Sequence, residues 1–480
     1  MKIEISRRKA DEIFHWLGAE IDRTPVSVKY LDLGTKVVRV LYDTEKIVPI
    51  IEKQFSFVLK SESDRFDETL VVWGESRVGA VTQQIFDRLD PGTKRMVKAQ
   101  MLWLREKHPR MEICLDDRSR YLFVKENIGA VEAYDPGSHM AFCAYDSYEP
   151  EKFIQHGHAF IRIINKLIRS DTANVLHGAV FGYEGTGFLL CGRGKRGKST
   201  LTMESMLSGF EFVSDDYQIL SRPERDLLAY PIYSIITLSY RMYNEMYDRF
   251  DGKFVCNNFT QDKYIFNISC YHNQFRTAYP IKLCLFPEIV ADEHPSIRKC
   301  SAAEKGRAIT QLIHSTLSQM DELSDGRSIE KIYHMVEDLP FYKFHLSNDI
   351  RRNTEYLRVF LSSLAGDTDS MPFDEPVVFD ITYGLATVLD LRSFVFYDMN
   401  KFASNIFSLL LSGEAPDIIR DRLAAFSGKN PHITDEFDAF VQFIRNHGFD
   451  KLDFTDYPCP EFSVDFAEKS DYNISVRTYV

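Results

Sequence analysis

The sequence predicts an α/β protein in four consecutive parts. A strand–loop–helix core spans residues 150–365. A mixed N-terminal region (1–149) precedes it, and a small α+β module (376–452) and a tail (453–480) follow. Three observations predict this arrangement. A glycine-rich loop lies between a buried-strand run and an amphipathic helix at 187–207. A strand, a pair of carboxylates and a second strand occupy 211–220. Three short strands and then three helices run in series after residue 376.

At 480 residues the chain is long enough for about three domains, each with its own core. A hydrophobic content of 44%, with 13% aromatic, excludes disorder as the main state. The 58 Lys and Arg against 70 Asp and Glu leave a net charge of −12, which repels a phosphate backbone. A general nucleic-acid or anionic-membrane binder is therefore not expected. The 8 cysteines include no C-x-x-C pair, a pattern of reduced thiols rather than of a disulfide framework or a zinc site. Met1–Lys9 carries charge with no apolar run behind it, so no signal peptide is expected. No stretch approaches the ~18 apolar residues of a membrane span. A soluble cytoplasmic protein is the expectation.

In the N-terminal region, Lys36–Tyr42 and Thr69–Trp73 are β-branched or aromatic runs that read as strands. Asp90-Pro91-Gly92 signals a turn into a helix over Thr93–Glu106, with Met96, Val97, Met101 and Leu104 on one side. A further helix is expected over Pro150–Arg169. It carries His156 and His158, whose i, i+2 spacing points them about 200° apart on a helix, too far to share a metal. Both read as packing or surface residues.

The core carries the chemistry. Gly192-Arg193-Gly194-Lys195-Arg196-Gly197-Lys198-Ser199 matches G-x-x-x-x-G-K-[ST], placed between the strand run Gly187–Cys191 and a helix opened by Thr200 and Leu201. Glycines let backbone N–H groups and the helix N-terminus converge on one anion. Gly192, Gly194, Lys195, Gly197, Lys198, Ser199 and Thr200 are the candidate phosphate-binding residues. Lys198 is placed to reach β- and γ-phosphates, and the Ser199 hydroxyl to ligate Mg²⁺. Downstream, Ser214-Asp215-Asp216 ends the strand that follows the helix, and that strand is expected to lie beside the first. Adjacent carboxylates near a triphosphate divide roles: one assists the metal, the other takes a proton from a hydroxyl. Upstream, His177 in Leu176-His177-Gly178 follows an apolar run and by itself reads as a core histidine.

Together Leu176-His177-Gly178, the loop Gly192–Ser199 and Ser214-Asp215-Asp216 resemble the catalytic half of HPr kinase/phosphorylase. The resemblance is specific over residues 175–220. It implies a P-loop core similar to that of phosphoenolpyruvate carboxykinase, which binds ATP and Mg²⁺ and moves phosphate to or from a seryl hydroxyl. By that carry-over Asp215 is the general base with His177 nearby, Lys198 serves the phosphates, and Ser199 and Asp216 serve the metal. On sequence alone the roles of the two aspartates are interchangeable. The loop is unusually basic, with Arg193, Lys195 and Arg196, and no Glu-Arg-Gly signature follows residue 230. The resemblance therefore does not extend to HPr itself as substrate or to phosphorolysis.

After the small, polar, proline-terminated stretch 365–372, a linker candidate, the last module begins. Pro376–Asp380, Ala386–Asp390 and Ser393–Tyr397 read as strands. Asn400 caps a helix stopped by Gly413, Pro416 opens a second, and Asp435 starts a third that Gly448 stops. This string resembles the PqqD family, winged-helix-like domains that recognise leader peptides of ribosomally made, modified peptides. The resemblance implies β-augmentation, in which an extended leader adds to an exposed edge strand (here Phe394–Tyr397) and packs on the third helix. That helix carries Asp435, Glu436 and Asp438 with only Arg445 opposing them, so a DNA-reading winged helix is not expected.

The resulting expectation is an ATP-dependent kinase acting on a Ser or Thr hydroxyl of a leader-bearing peptide or protein. The peptide partner would be held by residues 376–452, and self-association is left open. Two alternatives are a nucleotide-gated peptide-binding module without phosphotransfer and a kinase of a small hydroxyl compound.

Overall fold

The computed structural model describes residues 2–21, 26–95, 111–115, 120–125, 130–145, 147, 158–192, 194, 196–258, 263–290, 294–320, 325–364, 375–382, 384–424, 430–452 and 474–479. They form a mixed α/β protein with several sheets. The chain gathers into two units. One comprises residues 1–175, 179–187 and 199–281, the other 176–178, 188–198 and 282–480.

In the first unit, β1 (Lys2–Ile5), α1 (Arg7–Ile21), β2 (Ser27–Asp32), β3 (Val37–Tyr42), α2 (Val48–Phe55), β4 (Leu59–Lys60), β5 (Glu68–Trp73), α3 (Val78–Arg88), β6 (Met111–Leu115), β7 (Tyr121–Lys125), β8 (Ala130–Asp135) and β9 (Met140–Tyr145) build a nine-stranded sheet and its helices. Its order is β1-β6-β7-β8-β9-β5-β3-β2-β4. The runs at 36–42 and 69–73 are β3 and β5, as expected, paired parallel. Helix α1 places Ala10, Ile13, Phe14 and Leu17 on one buried stripe against Trp73, Val81 and Ile85, the i, i+3, i+4, i+7 spacing of an amphipathic helix. The helix expected from Thr93 is seen over residues 91–95, where the Asp90 side chain accepts the N–H groups of Gly92 and Thr93. Its remainder lies outside the described residues.

Helix α4 (Ile161–Ile168) is shorter than the helix expected over 150–169. Phe160, in the left-handed conformation at φ 60°, interrupts the helix at its own position, and His158 is not helical. His156 lies outside the described residues. Arg162 fastens α4 to β8 through a bidentate pair with the buried Glu132, at 2.9 and 3.0 Å.

The second sheet is built from β10 (Ala173–His177), β11 (Ala179–Tyr183), β12 (Thr186–Leu190), β13 (Glu211–Ser214), β14 (Tyr217–Ser221), β15 (Leu227–Pro231), β19 (Tyr279–Ile289), β20 (Ser296–Lys299) and β21 (Phe341–Leu346). Between β12 and β13 runs α5 (Lys198–Leu207), and a small three-stranded sheet holds β16 (Ile235–Ser239), β17 (Lys253–Asn258) and β18 (Lys263–Asn267), with α6 (Tyr240–Met246) between β16 and β17 in the chain. The main order is β10-β14-β15-β19-β12-β11-β13. The sequence placed β13 beside the strand that enters the glycine-rich loop. It pairs instead antiparallel with β11. The reason is local: β11 and β12 form a hairpin turned at Glu184 and Gly185 (φ 48° and 81°), so β11 already holds the position next to β12.

In the second unit, α7 (Ala302–Gln319) begins with the capping box Ser301/Glu304, followed by α8 (Gly326–Val336) and α9 (Ile350–Ser363). β21 pairs parallel with β19. The linker candidate 365–372 lies outside the described residues. The terminal module contains β22 (Val377–Thr382), β23 (Leu385–Asp390), β24 (Val395–Met399), α10 (Lys401–Leu411), α11 (Pro416–Ala424) and α12 (Ile433–Asn446). Asn400 caps α10 by accepting the Ala403 N–H at 2.8 Å, and Gly413 leaves it at φ 86°. The third helix starts at Ile433 rather than Asp435. One element was not expected. Strand β25 (Val476–Tyr479) completes the sheet order β22-β23-β24-β25, so the outer side of β24, expected to be open, is paired.

Candidate functional site

The residues singled out from sequence are divided between the two units. In the second unit, β12 delivers the chain to Gly192 at φ 127°, and Gly197 sits at φ 87°. Both values belong to the region where only glycine is unstrained. A Cβ on Gly197 would also fall 2.8 Å from Leu346 Cδ1. The loop is therefore shaped by its glycines as the motif requires. Lys198 is buried, and its Nζ donates to the Gly192 carbonyl at 2.7 Å, folding the side chain back across its own loop. Gly194 is exposed, and Lys195 and Arg193 lie outside the described residues.

Arg196 meets Glu288 at 3.4 Å. Glu288 also pairs with Lys343 at 2.8 Å, and these cations outweigh its burial to hold its carboxyl below the usual range. Half-buried His177 donates its backbone N–H to Thr316 Oγ1 on α7 at 2.9 Å.

In the first unit, Ser199 and Thr200 stand in the first turn of α5, and Asp215 and Asp216 form the turn between β13 and β14. The two strands bury everything around that turn: Ser214 Oγ bonds Gln218 Oε1 across it at 2.8 Å, and Asp216 adopts φ 70° to close it. Asp215 is 2% exposed. Its Oδ2 accepts the Thr237 N–H from β16 at 3.3 Å, and the Ser199 side chain bonds its carboxylate. Its Oδ1 is buried with no hydrogen-bond partner among the described residues.

Burial, and then the charge of Asp216, push the Asp215 carboxyl far above the ordinary carboxylate range. The Thr237 and Ser199 contacts and the charge of Lys263 only partly restrain it. The turn thus brings together Ser199, Asp215 and Asp216. A carboxylate with raised proton affinity against a hydroxyl is the arrangement of a general base.

The reading from sequence missed one residue. His158 is buried, with Nε2 3.8 Å from Asp216 Oδ2, and its ring packs edge-on against Tyr217 and Tyr233, each at 4.8 Å. It is a packing residue, as its sequence suggested, and also the neighbour of the second carboxylate. No sequence signal links it to Asp216, because the contact joins segments far apart in the chain. Helix α5 is anchored by a second acid, the buried Glu204, held bidentately by Arg249 at 2.8 and 3.1 Å.

Among the described residues, no group of three or more His, Cys, Asp or Glu is gathered to hold a metal, and no helix is long and apolar enough to cross a membrane. No family model matches the chain, and no curated protein matches it. Among solved structures, the HPr(Ser) kinase/phosphatase from Coxiella burnetii is similar at 12% identity, over 40% of this chain and 99% of that one, with a TM-score of 0.24. A likeness at that score carries no argument about fold or activity.

Proposed function

We propose that the chain is an ATP-dependent kinase that phosphorylates a Ser or Thr hydroxyl of a leader-bearing peptide or protein. The observation that carries this reading is the buried Asp215 carboxylate, with an orphaned Oδ1 and raised proton affinity, bonded to the hydroxyl of the residue that ends a G-x-x-x-x-G-K-S loop. Gly192, Gly194, Lys195, Gly197, Lys198 and Thr200 would line the phosphates of ATP. Ser199 and Asp216 would hold Mg²⁺, and hard oxygen donors of this kind, few in number, suit an ion that takes one or two carboxylates and completes its shell with phosphate and water. When bound, the metal neutralises charge on the β- and γ-phosphates.

Asp215 Oδ1 takes the proton of the acceptor hydroxyl as its oxygen forms a bond to the γ-phosphorus. The bond from that phosphorus to the bridging oxygen breaks, and ADP leaves with the electron pair. Lys198 would balance charge on the transferring group, and His177 would assist the transfer by analogy with the resembled kinases. Residues 376–452 deliver the peptide.

Incubation with γ-labelled ATP and a candidate precursor peptide tests the reading. Label is expected on the peptide with the native chain and not with Asp215→Asn. Nucleotide and leader binding without peptide phosphate would make the chain a nucleotide-gated binding module. Labelling of a small hydroxyl compound that survives deletion of residues 376–480 would make it a small-molecule kinase.

A further inference from the structure

The C-terminal residues of the chain lie where a docked strand would lie. β25 pairs antiparallel with the outer side of β24, in the register Phe396↔Tyr479, Tyr397↔Thr478, Asp398↔Arg477 and Met399↔Val476. Immediately before it, the Ser475 carbonyl accepts the Asn400 N–H at 3.1 Å, and the Ile474 N–H donates to Glu436 Oε2 on α12 at 3.0 Å. Ile474 and Val476 pack on the module's core, whereas Arg477 and Thr478 face solvent. At its end, the Tyr479 hydroxyl bonds Asp398, which also takes His314 Nε2 at 3.0 Å and Thr387 Oγ1 at 2.8 Å. The segment therefore uses features that β-augmentation asks of a guest: an edge ladder, the alternate side chains Ile474 and Val476 set against the module, and the third helix as a second wall.

A four-residue strand on a sheet edge is also a weak resident. It adds few ladder bonds, buries two side chains, and belongs to a class of strand with little stability of its own. An extended peptide offering the same main-chain bonds competes with it on equal chemical terms.

We propose that the edge of β24, with α12, is a strand-docking groove whose resident occupant is the chain's own segment Ile474–Tyr479, and that an extended substrate peptide binds by displacing it. This rests on the reading that residues 376–452 take a peptide, but it adds a competitor in cis. The apparent affinity for any guest is the intrinsic affinity multiplied by the fraction of time the edge is empty.

The test uses the full chain, without nucleotide, and a fluorescent peptide of sequence Asn-Ile-Ser-Val-Arg-Thr-Tyr-Val, identical to residues 473–480. Binding is followed by fluorescence anisotropy for the native chain, for Arg477→Pro, which removes the N–H that faces Asp398 in the ladder, and for Tyr479→Phe, which loses only the hydroxyl to Asp398. The affinity is expected to rise about tenfold or more in Arg477→Pro, as it does when a resident holds the site at least about nine-tenths of the time. A smaller rise is expected in Tyr479→Phe. Hydrogen exchange at residues 395–399 is expected to quicken in Arg477→Pro while exchange in β22 and β23 is unchanged, which separates release of the tail from unfolding of the module. Equal affinity in all three chains, or no binding to any, overturns the proposal. If a precursor leader binds the native chain and both variants equally well, the peptide-binding reading survives and the competing tail does not. If the tail peptide shows the expected order and no leader is phosphorylated, the reverse holds.

Discussion

Replacing Asp215 with Asn separates what the site costs from what it does. The carboxyl is 2% exposed, one oxygen has no partner, and Asp216 adds like charge beside it. Below its unfolded value of 3.8 the group is protonated whether the chain is folded or not and makes no difference to stability. Above that value the unfolded chain has released a proton that the folded chain keeps. Stability therefore falls by about 1.4 kcal/mol for each pH unit until the raised folded value is passed. Asn fills the same space, still accepts the Thr237 N–H, and has no proton to lose. Relative to the native chain, Asp215→Asn is expected to gain stability on the order of 6 kcal/mol by pH 8, the slope taken from 3.8 up to a folded value of about 8, with a gap that narrows steadily toward pH 5. Urea midpoints at a series of pH values, read with the slope m to confirm equal exposed surface, measure this directly. The same variant is expected to lose phosphotransfer by roughly 10²–10⁴-fold. A variant no more stable than the native chain at pH 8, or a gap that does not widen with pH, refutes the raised proton affinity. Undiminished transfer refutes the role of base.

Other consequences follow from the same contacts. Because Asp215 must be ionised to accept a proton, the native transfer rate is expected to climb as pH rises above neutrality, a limb that a pH–rate profile at saturating ATP reveals. Gly197→Ala forces a side chain into a left-handed position and toward Leu346, so it is expected to cost about 1–2 kcal/mol in thermal unfolding and to weaken nucleotide binding by calorimetry. Arg249→Ala strands the buried Glu204. Arg249 is itself one-third exposed, which reduces the cost to about 2–3 kcal/mol, and adding Glu204→Gln is expected to recover part of it. Glu304 is held down to about 2, against its burial, by Arg298, the Ser301 N–H and Lys343. Its contribution is whole above its unfolded value of 4.5 and fades as pH falls toward 2, so Glu304→Gln is expected to flatten acid denaturation over that interval.

Legibility in the sequence followed the distance over which each feature is decided. The glycine-rich loop, its strand and its helix are set by neighbouring residues, and the positive φ of Gly192 and Gly197 is what their identity anticipates. The same holds for α10, whose start at Asn400 and end at Gly413 depend on caps a few residues from the helix. What escaped is decided by partners remote in the chain. β13 reads as a strand, but its place beside β11 depends on a hairpin that takes the nearer position. His158 reads as a packing residue, and nothing in its neighbours announces Asp216. β25 is short, lies beyond a long intervening stretch, and acquires meaning only from the edge it covers.

The Asp215–Asp216 turn breaks three local preferences at once. A non-glycine residue is held at φ 70°, a carboxylate is buried with an orphaned oxygen, and two like charges adjoin. Asn or Gly at 216 would close the turn with less conformational strain and no repulsion, and Asn at 215 would relieve the buried charge. A chain shaped by stability alone would use them. The aspartates are instead surrounded by contacts that keep the turn in place, namely the Ser214–Gln218 bond, the Thr237 N–H and the His158 ring wedged between two tyrosines. Strain held in place by surrounding contacts is what the proposed function asks of a site kept for its chemistry. On the function proposed above that chemistry is proton affinity, since the burial of Asp215 and the charge of Asp216 both raise its tendency to hold a proton.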